Sequence, residues 1–306
     1  MELSASFISW TTWTLKWAVY FSLALATGFI SLLYFNQNKM IYAADFPEGA
    51  RTNIPKPNEH GMDDWEDVTL TASDGVKLKG YFIRHRAQPN APLANSTLLY
   101  FHANAGNMGH RLPISNVLKM ALGCNVFMLS YRGYGASEGS ANEQGMKLDA
   151  QAALDYLTSH SSLKNSKILV YGQSIGGAVS VDLAAKNQGK IDALVLENTF
   201  LGLRKLMPHV LPVLSRLTFL CNQIWDSESA IATIDLPILF LSGEIDQLVP
   251  PSHMKKLHEI AKKSSSKLIR FKSFPKGSHN DTVSQPEYFE TIRSFWYDVD
   301  KGKLNK

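Results

Sequence analysis

The sequence predicts an α/β fold in which helices cover both faces of a mostly parallel sheet. From residue 97 onward, short apolar runs typical of buried strands alternate with longer stretches typical of helices. This alternation favours parallel strands joined by right-handed crossovers. Ahead of it, residues 68–71 and 76–79 alternate apolar and polar side chains around Asp74-Gly75, which predicts an antiparallel hairpin. With 306 residues, 45% of them hydrophobic, the chain is large enough to bury one extensive core.

The predicted elements follow one another in a regular order. Both hairpin strands are expected at the edge of the sheet, because their alternation leaves one face in water. The segment 140–143 has the form of a capping box and is expected to open a helix that ends near Ser159. The remaining strands are predicted at 97–101, 126–129, 167–172, 193–196, 237–241 and 267–274, and the remaining helices at 112–122, 175–186, 252–261 and from 288 onward.

Two segments break this order. Three prolines predict an irregular linker over residues 41–57. Residues from about 200 to 235 are rich in leucine and poor in charge, and they follow the carboxyl end of a predicted strand, where open α/β sheets bind ligands. We interpret them as a helical cap over the ligand site, lined for an apolar group. Ordinary packing of a surface helix pair is the alternative.

The amino-terminal segment predicts a membrane anchor. Residues 17–35 form an uncharged, mostly apolar run that is long enough to span a bilayer as a helix, with aromatic residues at both ends. A cleaved signal peptide is the alternative, since residues 24–26 resemble an A-x-A cleavage site, but the apolar run continues beyond them. We therefore expect a single-pass protein with an uncleaved signal-anchor at 1–39 and one globular domain at 40–306.

The orientation of this anchor stays open in the sequence. Lys16 precedes the span, whereas Lys39 and further basic residues follow it, and this bias leans toward a cytoplasmic domain. Two N-glycosylation sequons, at Asn95 and Asn280, would instead suit a domain on the luminal side.

Composition and charge argue against several classes of function. A formal net charge of +4, without a basic stripe interleaved with aromatic residues, gives no indication of nucleic-acid binding. The sequence has no C-x-x-C, no H-E-x-x-H and no clustered His/Cys spacing, so neither a metal nor another cofactor is expected. Two cysteines do not make a disulfide framework, and Cys124, which opens a predicted strand, is expected to be a buried free thiol. No motif identifies a protein partner.

The chain is organised around a G-x-S-x-G motif at 172–176. It joins a predicted strand to a predicted helix, which is the setting of a nucleophile elbow with Ser174 on a strained turn at the sheet edge. A second match, at 135–139, follows a strand that has already ended and precedes more loop, so Ser137 is interpreted as part of a turn. Ser174 is therefore the predicted nucleophile.

A serine nucleophile needs a base that is oriented by an acid. In folds with this elbow the partners follow in the order Asp or Glu, then His. Asp246, in the loop after a predicted strand, is the predicted acid, with Glu244 as the alternative. His279 lies in the loop after the last predicted strand and is the predicted base, whereas His253 and His258 fall on a helix where packing or solvation is the default.

An oxyanion hole needs two backbone N–H groups that point at the tetrahedral oxygen. One is expected from Ile175, the residue after the nucleophile, and the other from the loop at 102–107. Asn104 N–H is the preferred donor in that loop and Ala103 N–H the alternative. His102, at a strand end before a turn, is interpreted as a brace for the loop.

Five segments stand in an order that is far more specific than any one motif: FHANAGN at 101–107, YRGYG at 131–135, GQSIGG at 172–177, ENTF at 197–200 and SHNDT at 278–282. This set resembles membrane-anchored α/β-hydrolases of the abhydrolase-domain-thirteen and fungal bud-emergence type, from about residue 40 to the last helix. The resemblance implies the α/β-hydrolase fold, a triad of Ser174, Asp246 and His279, and a catalytic domain on the non-cytoplasmic side of an endoplasmic-reticulum or other secretory-pathway membrane. Relatives usually have glycine where this chain has Ala103, and a positive φ there would strain the oxyanion loop.

Together these features predict a membrane-anchored serine hydrolase that cleaves an ester or thioester. The apolar cap and the anchor favour a lipid or fatty-acyl substrate. A peptidase is the alternative within the same chemistry. A catalytically silent scaffold is the alternative from another class, since a fold does not fix a function, and a strained oxyanion loop would be its support.

Overall fold

The computed structural model describes residues 2–86, 93, 95–163 and 165–303. The chain divides into two compact units, of which the first ends at Ile41 and the second begins at Tyr42. The first unit is a single helix, α1 (Glu2–Ile41). Its Thr12–Ile41 part is long and apolar enough to cross a membrane, since about 20 residues span the hydrocarbon core of a bilayer.

The second unit is built on one eight-stranded sheet. Its strands are β1 (Trp65–Thr71), β2 (Lys77–Ile83), β3 (Ser96–Phe101), β4 (Asn125–Ser130), β5 (Lys167–Gln173), β6 (Ala193–Glu197), β7 (Ile238–Gly243) and β8 (Ile269–Phe274). Their order across the sheet is β1-β2-β4-β3-β5-β6-β7-β8. The β1–β2 and β2–β4 pairs are antiparallel and all the other pairs are parallel. The predicted mostly parallel sheet is confirmed.

Helices cover both faces of this sheet, as predicted. On one face α2 packs against α8, and on the other the helices contact one another in the series α3, α4, α6 and α7. The bounds are α2 (Leu112–Leu122), α3 (Glu143–Ser159), α4 (Ile175–Lys186), α5 (Leu203–Val210), α6 (Ser227–Ile231), α7 (Pro251–Ser264) and α8 (Tyr288–Asp300). Between β6 and β7 the chain forms α5, a 3₁₀ helix at Pro212–Leu220, and α6.

Two local predictions are wrong. Strand β2 lies between β1 and β4 rather than at the edge, and its carboxyl half, Tyr81 to Ile83, is buried. The alternating pattern covers only the first half of β2, and the apolar residues after it pair with β4. The predicted capping box, with Ser140 as the N-cap, does not form. Asn142, two residues further along, caps α3 by accepting a hydrogen bond from Gly145 N–H at 2.8 Å.

Candidate active site

Ser174 stands alone between β5, which ends at Gln173, and α4, which begins at Ile175. Its backbone has φ 55° and ψ −118°, a conformation that side-chain-bearing residues rarely adopt. Close packing forces this turn. A Cβ on Gly172 would lie 2.2 Å from the Gly176 carbonyl oxygen, and one on Gly176 would lie 2.2 Å from the Phe101 carbonyl oxygen. The motif glycines are therefore needed for strand, turn and helix to approach one another.

Hydrogen bonds from β6 and the loop after it hold the strained turn. Ser174 N–H donates to the Glu197 carbonyl at 2.9 Å, and the Thr199 hydroxyl donates to the Ser174 carbonyl at 2.7 Å. Strained backbone persists when its surroundings determine it in this way, and it concentrates at functional sites. The turn is therefore a fixed part of the fold.

Asp246 is bound to His279. Its Oδ2 accepts a hydrogen bond from His279 Nδ1 at 2.8 Å, and its Oδ1 accepts from the N–H groups of Leu248 and Val249, each at 2.8 Å. The side chain of Asp246 is 1% exposed. Glu244, the alternative acid, instead accepts a hydrogen bond from Lys255 Nζ at 2.9 Å. The geometry thus favours Asp246 over Glu244 as the partner of the histidine.

The loop that carries His279 lies against the elbow. The His279 carbonyl accepts hydrogen bonds from the side-chain amides of Gln173 at 3.4 Å and Asn198 at 3.2 Å, and Gln173 directly precedes Ser174. Within the described residues, no hydrogen bond joins Ser174 Oγ to the His279 ring. In enzymes without substrate such contacts are often long and tighten only in the Michaelis complex. The structure thus brings Asp246 and His279 together, and the His279 backbone is hydrogen-bonded to the residue that precedes Ser174.

The other candidate side chains have structural contacts. Ser137 is buried, and its hydroxyl donates to the Ser130 carbonyl at 2.7 Å and accepts from Lys79 N–H at 2.9 Å. His253 is buried beneath the loop after β6, where its Nδ1 accepts from Leu201 N–H at 3.2 Å. The two free cysteines of the chain, at 124 and 221, are both buried.

The loop at 102–107 lies at the carboxyl end of β3, next to the elbow. The side-chain oxygen of Asn104 accepts hydrogen bonds from the Tyr134 hydroxyl at 2.7 Å and from Ala43 N–H at 3.2 Å. These contacts fix the Asn104 side chain at the carboxyl end of β3. Ala103 is not among the described non-glycine residues with positive φ. The backbone at Ala103 is therefore not strained, although the glycine that relatives usually have at this position suggested a positive φ.

His102 lies beneath this loop. It is fully buried against the rings of Tyr131 and Tyr134, and its Nδ1–H donates to the Ala103 carbonyl at 2.7 Å. Burial lowers the pKa of His102 to about 3, so the ring is neutral near pH 7. These contacts agree with the interpretation of His102 as a brace.

The segment after α1 is more than the irregular linker that its prolines predict. Residues 42–53 lie across the loop at 102–107: the Phe46 carbonyl accepts from Gly106 N–H at 2.7 Å, and the Asn107 side chain donates to the carbonyls of Ala50 and Asn53 at 2.8 and 2.9 Å. These contacts could not be predicted from the sequence, because most of them use backbone atoms of this segment. Every residue has these atoms, so the residue types do not indicate the contacts.

A buried carboxylate lies behind the elbow. Glu197 is fully buried and accepts hydrogen bonds from the hydroxyls of Tyr171 and Tyr288, the latter at 2.5 Å, and from the Gln173 amide at 3.3 Å. Burial raises the pKa of Glu197 above its ordinary value of 4.5, although the tyrosine hydrogen bonds act in the opposite direction. Because the Glu197 carboxyl group contacts Gln173, the residue before Ser174, it supports the strand-to-helix turn.

Replacing Glu197 by glutamine is expected to change how stability depends on pH. With a raised folded pKa, the stabilisation from Glu197 is complete below the unfolded pKa and is lost as pH rises through the folded pKa. The free energy of unfolding of Glu197→Gln should therefore rise relative to that of the wild type as pH increases from about 4.5. Denaturant unfolding of the full-length protein in detergent, over a series of pH values, measures this difference.

The control for this experiment is Glu244→Gln. The hydrogen bond from Lys255 lowers the pKa of Glu244, so its stabilisation is present above the unfolded pKa and is lost as pH falls. The difference between Glu244→Gln and the wild type should therefore change with pH in the opposite direction. A Glu197→Gln difference that does not vary with pH would contradict the raised pKa.

Comparison with known proteins agrees with the fold. Residues 96–218 match the family model described as the alpha/beta hydrolase fold. The chain is 46% identical over 286 residues to protein bem46 of Schizosaccharomyces pombe, a match that covers 92% of each chain. The chain belongs to the α/β-hydrolase family. This α/β-hydrolase is also 40% identical to the uncharacterized membrane protein YNL320W of Saccharomyces cerevisiae, over 91% of this chain and 94% of the yeast protein.

Two solved structures share the fold. The Pyrococcus furiosus esterase Pf2001 superposes with a TM-score of 0.67 at 18% identity, over 80% of this chain and 93% of the esterase. An alpha-beta hydrolase from Vibrio vulnificus superposes with a TM-score of 0.68 at 21% identity, over 86% and 93% of the two chains. Both neighbours share the fold, and membership of the family supports assignment of the chain as a hydrolase.

Proposed function

We propose that this α/β-hydrolase is a membrane-anchored serine hydrolase that cleaves an ester or thioester through Ser174, His279 and Asp246. The hydrogen bond between Asp246 Oδ2 and His279 Nδ1 carries the proposal, because it orients the imidazole in a loop that lies against the elbow. An acid that holds one ring nitrogen leaves the other free to act as a base toward a serine hydroxyl.

In the proposed mechanism, His279 Nε2 takes the proton of Ser174 Oγ as the oxygen attacks the substrate carbonyl. The negative oxygen of the tetrahedral intermediate is bound by the N–H groups of Ile175 and Asn104. Ile175 is the first residue of α4, and the first N–H groups of a helix have no partner within the helix. His279 then gives its proton to the leaving alcohol or thiol, and water releases the acyl group from Ser174 by the same route.

The proposed substrate is a lipid or fatty-acyl ester or thioester. Two features support it: the long apolar helix α1, and exposed apolar side chains on the insertion at the carboxyl edge of the sheet, where the candidate active site lies. The S. cerevisiae relative is named a membrane protein and the P. furiosus neighbour an esterase. We further propose that the domain lies on the luminal side of a secretory-pathway membrane, since the resemblance implies it and both sequon asparagines, Asn95 and Asn280, are exposed.

Hydrolysis of p-nitrophenyl esters and acyl thioesters of increasing chain length, by the full-length protein in detergent, tests this function. The wild type is expected to turn over at least part of the series, and Ser174→Ala to lose activity by a factor on the order of 10⁶. Ser137→Ala, from the second G-x-S-x-G, should retain turnover. A folded wild type that hydrolyses no member of the series would instead favour the silent scaffold.

A further inference from the structure

The insertion between β6 and β7 exposes apolar side chains to an unusual degree. Every residue of the 3₁₀ helix Pro212–Leu220 is described, and none of them is buried. Val213 is 94% exposed and Phe219 66% exposed, and Val210 and Leu211 before them are exposed as well. Neighbouring exposed apolar side chains of this kind mark a surface that contacts something other than water.

The charge of the same segment has only one sign. Residues 201–220 include Arg204, Lys205 and Arg216 but no Asp or Glu. Lys205 forms an ion pair with Glu228, whereas Arg216 is exposed among the apolar residues. Apolar side chains combined with basic residues, in a segment with no acidic residue, favour the interface of a bilayer, where the apolar groups enter the acyl boundary and the cations meet the lipid phosphates.

The exposed apolar residues continue from the insertion to the candidate active site. His209 Nε2–H donates a hydrogen bond to the Gln247 carbonyl at 2.9 Å, which joins the end of α5 to the loop that contains Asp246. In that loop Ile245 is 50% exposed and Leu248 is 44% exposed. The apolar surface therefore borders the edge of the sheet where substrate would enter.

The chain enters the globular domain at the base of this insertion. Tyr42, the residue that follows α1, is buried; its hydroxyl donates to the Gln223 side chain at 2.8 Å and accepts from Trp225 Nε1–H at 2.9 Å. Gln223 and Trp225 lie in the segment between the end of the 3₁₀ helix at Leu220 and the start of α6 at Ser227. Tyr42 follows Ile41, the last residue of α1, directly in the chain, so the covalent connection limits how far the insertion can lie from a bilayer that α1 enters.

We propose that the insertion surface, defined as Val210, Leu211, Val213, Phe219, Ile245 and Leu248, docks on the interface of the same bilayer that holds α1. The active-site edge of the sheet then faces lipid, and an acyl chain passes from the bilayer to Ser174 without crossing bulk water. The docking depends on the proposed anchoring by α1 and does not depend on the proposed hydrolysis.

Fluorescence quenching by labelled lipids tests the docking on the full-length protein. An NBD label is attached to Val213→Cys in nanodiscs of phosphatidylcholine alone and of phosphatidylcholine with phosphatidylserine. Cys124 and Cys221 are buried, so the new cysteine is the preferred labelling site. The matched control is Met120→Cys, which is 64% exposed on α2 near the amino end of β4, the opposite edge of the sheet.

At position 213 we expect blue-shifted emission and several-fold quenching by doxyl-labelled lipids, already in phosphatidylcholine alone and undiminished when phosphatidylserine is present, because apolar side chains carry the docking. The label at position 120 should emit as in water and remain unquenched. Equal, water-like emission at both positions would overturn the proposal. A blue shift at 213 that depends on protein concentration and is insensitive to doxyl lipids would overturn it in favour of a second copy of this chain. NBD emission and quenching require no turnover, so this experiment tests the docking independently of the proposed hydrolysis.

Discussion

Replacing Asp246 by asparagine is expected to lower kcat for ester hydrolysis by about 10⁴-fold while the protein stays folded. Asparagine keeps one oxygen for the N–H groups of Leu248 and Val249, so its amide nitrogen must face His279 Nδ1. A nitrogen that donates there leaves Nδ1 without its proton and places the proton on Nε2. The ring then cannot accept the proton of Ser174. Steady-state kinetics with an ester substrate measures the loss.

The matched control is Glu244→Gln, which makes the same chemical change two residues earlier. Glu244 contacts Lys255, an ion pair whose cation is 53% exposed, and such pairs contribute at most about 1 kcal/mol. Turnover should therefore remain close to that of the wild type. If Asp246→Asn and Glu244→Gln lowered kcat equally, the cause would be a disturbance of the loop that carries both residues. The hydrogen bond to His279 would then not explain the loss.

Replacing Arg132 by methionine is expected to lower the free energy of unfolding by about 3–5 kcal/mol. The Arg132 guanidinium donates to Asp149 Oδ1 at 2.8 and 2.9 Å and to both oxygens of Asp74 at 2.6 and 3.0 Å. The Asp149 side chain is fully buried, and burial raises its pKa even beside the arginine. Without Arg132 that carboxylate has lost its cation. Denaturant unfolding in detergent at neutral pH measures the change.

A double variant separates the buried charge from the lost packing. In Arg132→Met with Asp149→Asn, the asparagine oxygen can still accept from the residue 132 N–H, which Asp149 Oδ2 does at 2.8 Å in the wild type. The double variant should regain much of the stability that the single variant loses. Lys190→Met, which breaks an exposed pair with Asp155, should cost less than about 1 kcal/mol. A single variant as stable as Lys190→Met would contradict the role of Arg132.

The sequence was sufficient to predict those features of the fold and the candidate site that depend on local residue patterns. Strands β3 to β7 are apolar runs with their own boundaries, because a strand covered on both faces has little polar surface to display. The Gly172 to Gly176 motif could be placed because it joins a strand to a helix. Asp246 and His279 could be placed because each follows a strand of a parallel sheet, and the carboxyl ends of parallel strands meet at one edge.

What could not be predicted depends on contacts between distant residues. The half of β2 that pairs with β4 is buried by a partner far away in sequence, which its own alternation does not reveal. Asn142 and Ser140 are both good helix caps, and only the geometry of α3 decides between them. The segment at 42–53 contacts the loop at 102–107 largely through carbonyl groups, which every residue type possesses.

The most direct test of the central claim is covalent labelling of the folded, full-length protein by a fluorophosphonate, with the modified peptide identified by mass spectrometry. Only an activated serine next to an oxyanion hole reacts readily with such a reagent. The account predicts one adduct, on Ser174, that is lost in Ser174→Ala and retained in Ser137→Ala. A folded wild type that is not labelled, or an adduct on another residue that persists in Ser174→Ala, would contradict it.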